Sequence, residues 1–197
     1  MRPIRRLGPL MYKQIVEPKP KLRLNIHACT TFVLVRPHYP ENVGAAARAI
    51  KTMGFTSLCL VKPGKIAVPD HPMAQKMAVK SRDVLDAAQV CARLEDALAG
   101  ADCVVVTTSR NGVSGATGPR QIGQALARRA ARGERVAILF GNEKTGLSAE
   151  LVDSADYRLR IPMAGDQPSV NLAQATQLVA YELLMAALEL RESDPTV

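Results

Sequence analysis

From residue 31 the chain alternates short β-rich apolar runs with stretches of helix formers, and this alternation restricts its fold more than any other feature. TFVLVR (31–36) and SLCLV (57–61) are strand-like, and between them ENVGAAARAIKTMGF carries helix formers up to Gly54. That is a βαβ unit, and strands this continuously apolar are buried on both faces, as in a parallel sheet. After a Pro-broken stretch (62–72), a helical pattern continues to Gly100, and DCVVVTTS supplies a further strand followed by a Gly-rich loop. Pro119 opens a helix through Arg132, VAILFG is a strand, and YRLRIP is another that Pro162 stops. The last segment, Asn171 to about Glu189, is a long helix apolar on most of its circumference: Leu172, Ala175, Leu178, Val179, Leu183, Ala186 and Ala187. Such a helix must be buried, against the sheet or a second subunit. The expected fold is α/β, a mainly parallel sheet flanked by helices.

The length of 197 residues and 47% hydrophobic content support one core. No apolar run approaches the roughly 20 residues that span a bilayer, so a cytoplasmic protein is expected. Cys29, Cys59, Cys91 and Cys103 show no CxxC spacing and read as thiols in apolar surroundings; with three scattered histidines, no metal site is expected. The net charge of +8 is uneven: residues 1–27 carry Arg2, Arg5, Arg6, Lys13, Lys19, Lys21 and Arg23 against Glu17 alone. This segment reads as a basic arm, either a disordered tail, an extension upstream of Met11, or an arm for nucleic-acid phosphates, with the folded domain at 28–197.

Ligands of parallel sheets bind in loops beyond the carboxyl ends of strands, and three loops rich in polar residues and glycine follow Arg36, Phe140 and Ile161. None carries GxGxxG or a phosphate-binding GxxxxGK[ST], so neither nucleotide fingerprint is present. In the first, Asn42 can cap the helix, Gly44 leaves its first turn bare for close approach, and Arg48 projects opposite a core face of Ala46, Ala49, Ile50 and Met53. In the second, Asn142, Glu143 and Lys144 lie between Gly141 and Gly146, just before Ser148, a helix N-cap. A tight turn explains the glycines but does not require an acid. In the third, Ser169 and Asn171 precede the terminal helix, where small polar side chains and unpaired N–H groups can cap the helix or meet a ligand.

Together and in this order, PENVGAAARAIKTMGF, ILFGNEKTGLS and RIPMAGDQPSVNLAQATQLVAYELL resemble the three motifs of the SpoU/TrmH class of SPOUT RNA methyltransferases, over about Phe32 to Leu190. The LAQATQLVAYEL ending is TrmJ-like, whereas FGNEKTGLS is closer to the tRNA guanosine-methylating branch, which leaves the target nucleotide open. The resemblance implies a deep trefoil knot near the C-terminus, a homodimer, and S-adenosylmethionine as cofactor. It implies cofactor contacts from Thr108, Ser109, Gly141, Ile161, Met163, Ser169, Val170 and Leu172. It also implies catalytic roles for Asn42, Arg48, Glu143, Ser169 and Asn171, with Glu143 pairing with Arg48 across the site.

A guanidinium is a poor proton acceptor, so Arg48 acts either as a base assisted by the substrate phosphate or as a clamp on phosphate and hydroxyl. The expected reaction is methyl transfer to a ribose 2′-hydroxyl of RNA, tRNA before rRNA, with Arg110, Arg120, Arg128, Arg129, Arg132, Lys76, Lys80 and Arg82 available for phosphates. A TrmJ-like enzyme usually continues into a C-terminal RNA-binding extension, so either the basic arm, or the catalytic-domain dimer with a partner, is expected to supply those contacts here. The alternative is a non-catalytic knotted RNA-binding dimer.

Overall fold

In the computed structural model, which describes residues 22–165 and 169–194, seven strands form one sheet in the order β3-β2-β1-β6-β4-β7-β5, and every paired neighbour is parallel. The strands are β1 (Thr30–Val35), β2 (Ser57–Val61), β3 (Gln89–Cys91), β4 (Cys103–Thr107), β5 (Ala116–Thr117), β6 (Val136–Phe140) and β7 (Tyr157–Leu159). The helices are α1 (Asn25–Cys29), α2 (Pro40–Thr52), α3 (Pro72–Met77), α4 (Arg82–Asp86), α5 (Leu94–Leu98), α6 (Pro119–Ala131), α7 (Ala149–Ser154) and α8 (Leu172–Ser193). The mainly parallel α/β sheet expected from the alternation is the sheet observed.

Both faces of the central strands are covered, which is why their sequences show no polar alternation. Phe32 and Leu34 of β1 and Ile138 and Phe140 of β6 belong to a core shared with α2, α6 and α8. The intervening Val33, Ala137 and Leu139 face a smaller core with Val152 of α7 and the partly buried Leu94, Ala97 and Leu98 of α5. Phe32 meets Phe55 edge-on at 5.1 Å between ring centroids and stacks on Phe140 at 6.1 Å. All four cysteines are free thiols. Burial pushes the Cys103 thiol up to about 11, and burial together with a bond to Cys91 pushes Cys59 up to about 12.

Two expectations need correction, and the close approach expected at Gly44 is met by packing within the chain. The helical pattern between Pro72 and Gly100 is three short helices with β3 between the second and third, because Lys80, at φ +56°, breaks the helical path after α3. The boundary at residue 28 falls inside α1, whose Ile26 is buried in the main core; the rest of the expected arm, residues 1–21, lies outside the described residues. Gly44 is bare for a neighbouring turn of this chain: a Cβ there would stand 1.9 Å from the carbonyl oxygen of Ala74 in α3.

The sheet order decides where a ligand can bind. Strands β1, β6, β4 and β7 are consecutive neighbours and parallel, so the loops leaving their carboxyl ends emerge side by side. Those loops carry residues far apart in the chain.

Candidate active site

The loop after β6 is built around two side chains. Asn142 donates from Nδ2 to the carbonyl of Arg36, 2.6 Å away, and its Oδ1 accepts from the backbone N–H groups of Lys144 and Thr145. The amide therefore ties this loop to the end of β1 and shapes its turn at once. The return of the loop passes so close to Gly141 that a Cβ there would stand 2.4 Å from the carbonyl carbon of Gly146. Gly146 itself sits at φ +67°, a conformation natural to glycine. Ser148 then caps α7, its Oγ accepting from Leu151 N–H.

Glu143 is half-buried and turned toward the first loop. Its carboxylate accepts from His38 N–H at 2.8 Å, from Tyr39 N–H at 3.3 Å and from Asn42 Nδ2 at 2.8 Å. Asn42, only 8% exposed, in turn accepts at Oδ1 from Asn171 Nδ2, 3.0 Å away. Asn171 caps α8 with its own Oδ1, which accepts from Ala173 and Gln174 N–H. One hydrogen-bonded chain, Glu143 to Asn42 to Asn171, thus joins the loops after β6, β1 and β7. Asn42 does not cap α2; Tyr39 occupies that position with Pro40 in the first turn, and two of the free N–H groups there go to Glu143 and to the Tyr39 carbonyl.

The expected pairing of Glu143 with Arg48 does not occur within the chain. The donors of the first loop already occupy the carboxylate, and Arg48 is exposed on α2, lining a separate cavity with Lys51, Thr52, Val79, Lys80 and Ser81.

Beside the hydrogen-bonded chain lies a cavity of about 390 Å³, within the roughly 300–1,000 Å³ typical of small-molecule sites. Its walls come from three stretches: Thr107 to Arg110 after β4, Phe140 to Leu147 after β6, and the segment after β7 with Ile161, Met163, Ser169, Val170 and the start of α8. Thr108, Ser109, Gly141, Ile161, Met163, Ser169, Val170 and Leu172, singled out from sequence, all line it, as does Glu143. Asn42, Arg48 and Asn171 are not in its walls.

Other site groups carry little signal in the sequence. Arg110 lines the cavity and donates from Nη2 to the carbonyl of Leu147 at 2.7 Å, pinning the far end of the β6 loop. Lys144 reaches His38, with Nζ 2.9 Å from Nε2, and lies over the Tyr39 ring. Asn142 is the keystone of the turn; an Asn four residues before a glycine marks a turn but not what its Nδ2 will tie down.

Residues 30–181 match the SpoU rRNA Methylase family. The chain is 38% identical over 166 residues to the tRNA (cytidine/uridine-2′-O-)-methyltransferase TrmJ of Citrobacter koseri, covering 83% of this chain and 67% of that protein. It superposes on crystalline TrmJ from Z. mobilis with a TM-score of 0.71 at 35% identity, over 80% of this chain and 69% of the other. An AdoMet-bound rRNA methyltransferase from Sinorhizobium meliloti superposes with a TM-score of 0.57 at 26% identity, over 78% of this chain and 55% of the other. This chain spans about two thirds of the length of the curated relatives it matches.

Proposed function

Because this chain belongs to the SpoU rRNA methylase family, we propose that it transfers a methyl group to a ribose 2′-hydroxyl of RNA, with tRNA the first substrate and rRNA the second. The observation that carries this reading is the joining of all three motif loops by Glu143, Asn42 and Asn171 beside a single cavity. S-adenosylmethionine is the methyl donor in this reading, its sulfonium making the methyl group electrophilic. The residues present suit it: Ile161, Met163 and Leu172 offer apolar surface for the adenine, and the backbone of Gly141 to Leu147 and of Val170 offers hydrogen-bonding edges. The knot implied by the resemblance belongs to this reading too, since the β6 loop and the segment entering α8 wall one cavity.

In the transfer, the ribose oxygen bonds the methyl carbon as the carbon–sulfur bond breaks and the hydroxyl proton leaves to solvent. The protein's task is alignment. Glu143 holds the first and second loops in register, and Arg48 holds the phosphate and hydroxyl in line with the methyl group. Arg48 lines a different cavity from the one that suits the cofactor, which supports a reading in which the two parts come from different chains, the second being another copy. The homodimer in this reading buries the side of α8 bearing Leu178 and Tyr181, which are 42% and 41% exposed and one turn apart. The compartment in this reading is the cytoplasm, where tRNA is modified.

Calorimetric titration of S-adenosylmethionine and S-adenosylhomocysteine, without RNA and then with bulk tRNA, tests the assignment. Saturable micromolar binding at a single site per chain is expected. No binding under either condition refutes it and leaves a non-catalytic RNA-binding protein.

A further inference from the structure

The cavity that holds Arg48 contains more than Arg48. On its other side the chain leaves α3, turns through Lys80 and enters α4, and the turn is held against α2 by Lys51. Lys51 Nζ donates to the Lys80 carbonyl at 2.8 Å and to Asp83 Oδ1 at 2.5 Å. Its charge is therefore used internally, and the Asp83 carboxyl is held below the usual carboxylate range by that same ammonium.

Two cations remain. Arg48 and Lys80 are both exposed, neither has an ion-pair partner among the described residues, and both line this opening of about 460 Å³. Thr52 stands beside them with its hydroxyl donated to the Arg48 carbonyl. Val79, 48% exposed, gives the opening one apolar edge. Among the described residues Lys80 is one of three non-glycine residues at positive φ, a conformation that L side chains rarely adopt. The bond from the Lys51 ammonium to the Lys80 carbonyl fixes that turn, and so fixes where the Lys80 side chain departs from the surface.

Resting on the proposed RNA methyl transfer, we propose that Lys80 and Arg48 form a seat for a backbone phosphate of the RNA next to the methylated nucleotide, with Lys80 a positioning residue. The chemistry points to a phosphodiester: two cations without an ion-pair partner among the described residues line one opening from different elements, and Asp83, close to that turn, is already occupied by Lys51. The Val79 edge suits the apolar side of a ribose. A phosphate seated there places its own ribose within the span of Arg48, so the seat sets which nucleotide is presented.

The test compares Lys80→Ala, Lys80→Arg and wild type in the full chain, with Arg93→Ala, whose guanidinium already pairs with Glu95, as control. Bulk tRNA binding is followed by fluorescence anisotropy over a series of salt concentrations. Lys80→Ala should weaken binding about fivefold at low salt and flatten the plot of log affinity against log salt by about 0.7–1. Lys80→Arg and Arg93→Ala should match wild type. In methyl-transfer assays Lys80→Ala should raise the KM for tRNA with little change in kcat, and S-adenosylmethionine titration should be unchanged. Inorganic phosphate at the same ionic strength should compete with tRNA less well against Lys80→Ala than against wild type, if the seat takes phosphate itself. Wild-type affinity and salt slope in Lys80→Ala, or no tRNA binding by wild type, overturn the proposal. Failure of S-adenosylmethionine to bind while the Lys80 effect on tRNA persists would overturn methyl transfer and leave the phosphate seat standing.

Discussion

Glu143 accepts three N–H groups, and truncating it to alanine strands all of them. Hydrogen bonds to a charged acceptor contribute about 1.5–3 kcal/mol each when well formed. Two of these are 2.8 Å long, while the Tyr39 bond is 3.3 Å long and exposed, so water replaces most of it. After the discount for a half-buried carboxylate, Glu143→Ala should cost about 2–3 kcal/mol of stability. Asn42→Ala should cost less, because Glu143 keeps its two backbone donors and the exposed Asn171 amide can turn to water. The bond between the two side chains predicts a coupling of about 1–1.5 kcal/mol in the double-mutant cycle.

Urea denaturation of the four proteins measures that coupling, and the same cycle between Glu143→Ala and Arg48→Ala supplies the contrast. Arg48 lines another cavity, so that second coupling should vanish within about 0.3–0.5 kcal/mol. Additive effects for Glu143 and Asn42, or a coupling between Glu143 and Arg48 above 1 kcal/mol at the monomer level, would refute the geometry. Methyl-transfer turnover should fall with Glu143→Ala by more than cofactor affinity does, since the carboxylate joins the substrate-aligning loop to the cofactor loop.

Gly44→Ala gains helix propensity of about 1 kcal/mol, but its Cβ meets the Ala74 carbonyl at 1.9 Å and must push α3 from α2. A net loss of about 1–3 kcal/mol should appear in the denaturation midpoint, and an unchanged or raised midpoint would contradict the packing. If a second copy supplies Arg48, mixing Arg48→Ala chains with Gly141→Ala chains, each inactive alone, should restore roughly a quarter of the wild-type rate after random reassociation; no recovery would argue for a site complete in one chain. Burial holds His27 below its ordinary value of 6.5, against a smaller opposing pull from the Met53 backbone. The unfolded chain therefore binds a proton first as pH falls, so this contribution is whole above about pH 6.5 and is lost as pH falls toward the folded value. His27→Gln should flatten that part of the stability–pH curve, and an unchanged slope would show that another group sets it.

Strands were legible wherever burial on both faces made the sequence continuously apolar, as in β1, β2, β4 and β6. The short edge strands β3 and β5 were not, because Val90 is 55% exposed and Ala116–Thr117 is too brief to show a period. The walls of the cofactor-sized cavity were legible because the sheet puts loop ends where the resemblance expects them. The partner of Glu143 was not, because Asn42 and Arg48 sit in one helical segment and nothing in their spacing says which reaches the carboxylate. Tertiary placement decided it: the N-terminal end of α2, where His38, Tyr39 and Asn42 offer N–H groups together, is the end that faces the β6 loop.

That placement changes what an acid between two glycines is for. A carboxylate bound by two backbone N–H groups and an amide has its lone pairs directed at fixed donors, so it is poorly arranged to take a proton from a ribose hydroxyl. It is well arranged to hold two loops whose residues lie about a hundred positions apart, a closure that the chain makes only when β1 and β6 have paired. The Asn42–Asn171 bond makes the same demand of the start of α8, at a separation of 129 residues. In the proposed reaction, alignment of the reacting groups is thereby tied to completion of the sheet, so a chain whose central strands have not paired would have no assembled site. Substitutions that loosen this junction should reduce methyl transfer through lost alignment while leaving the cavity walls, and much of the cofactor affinity, in place.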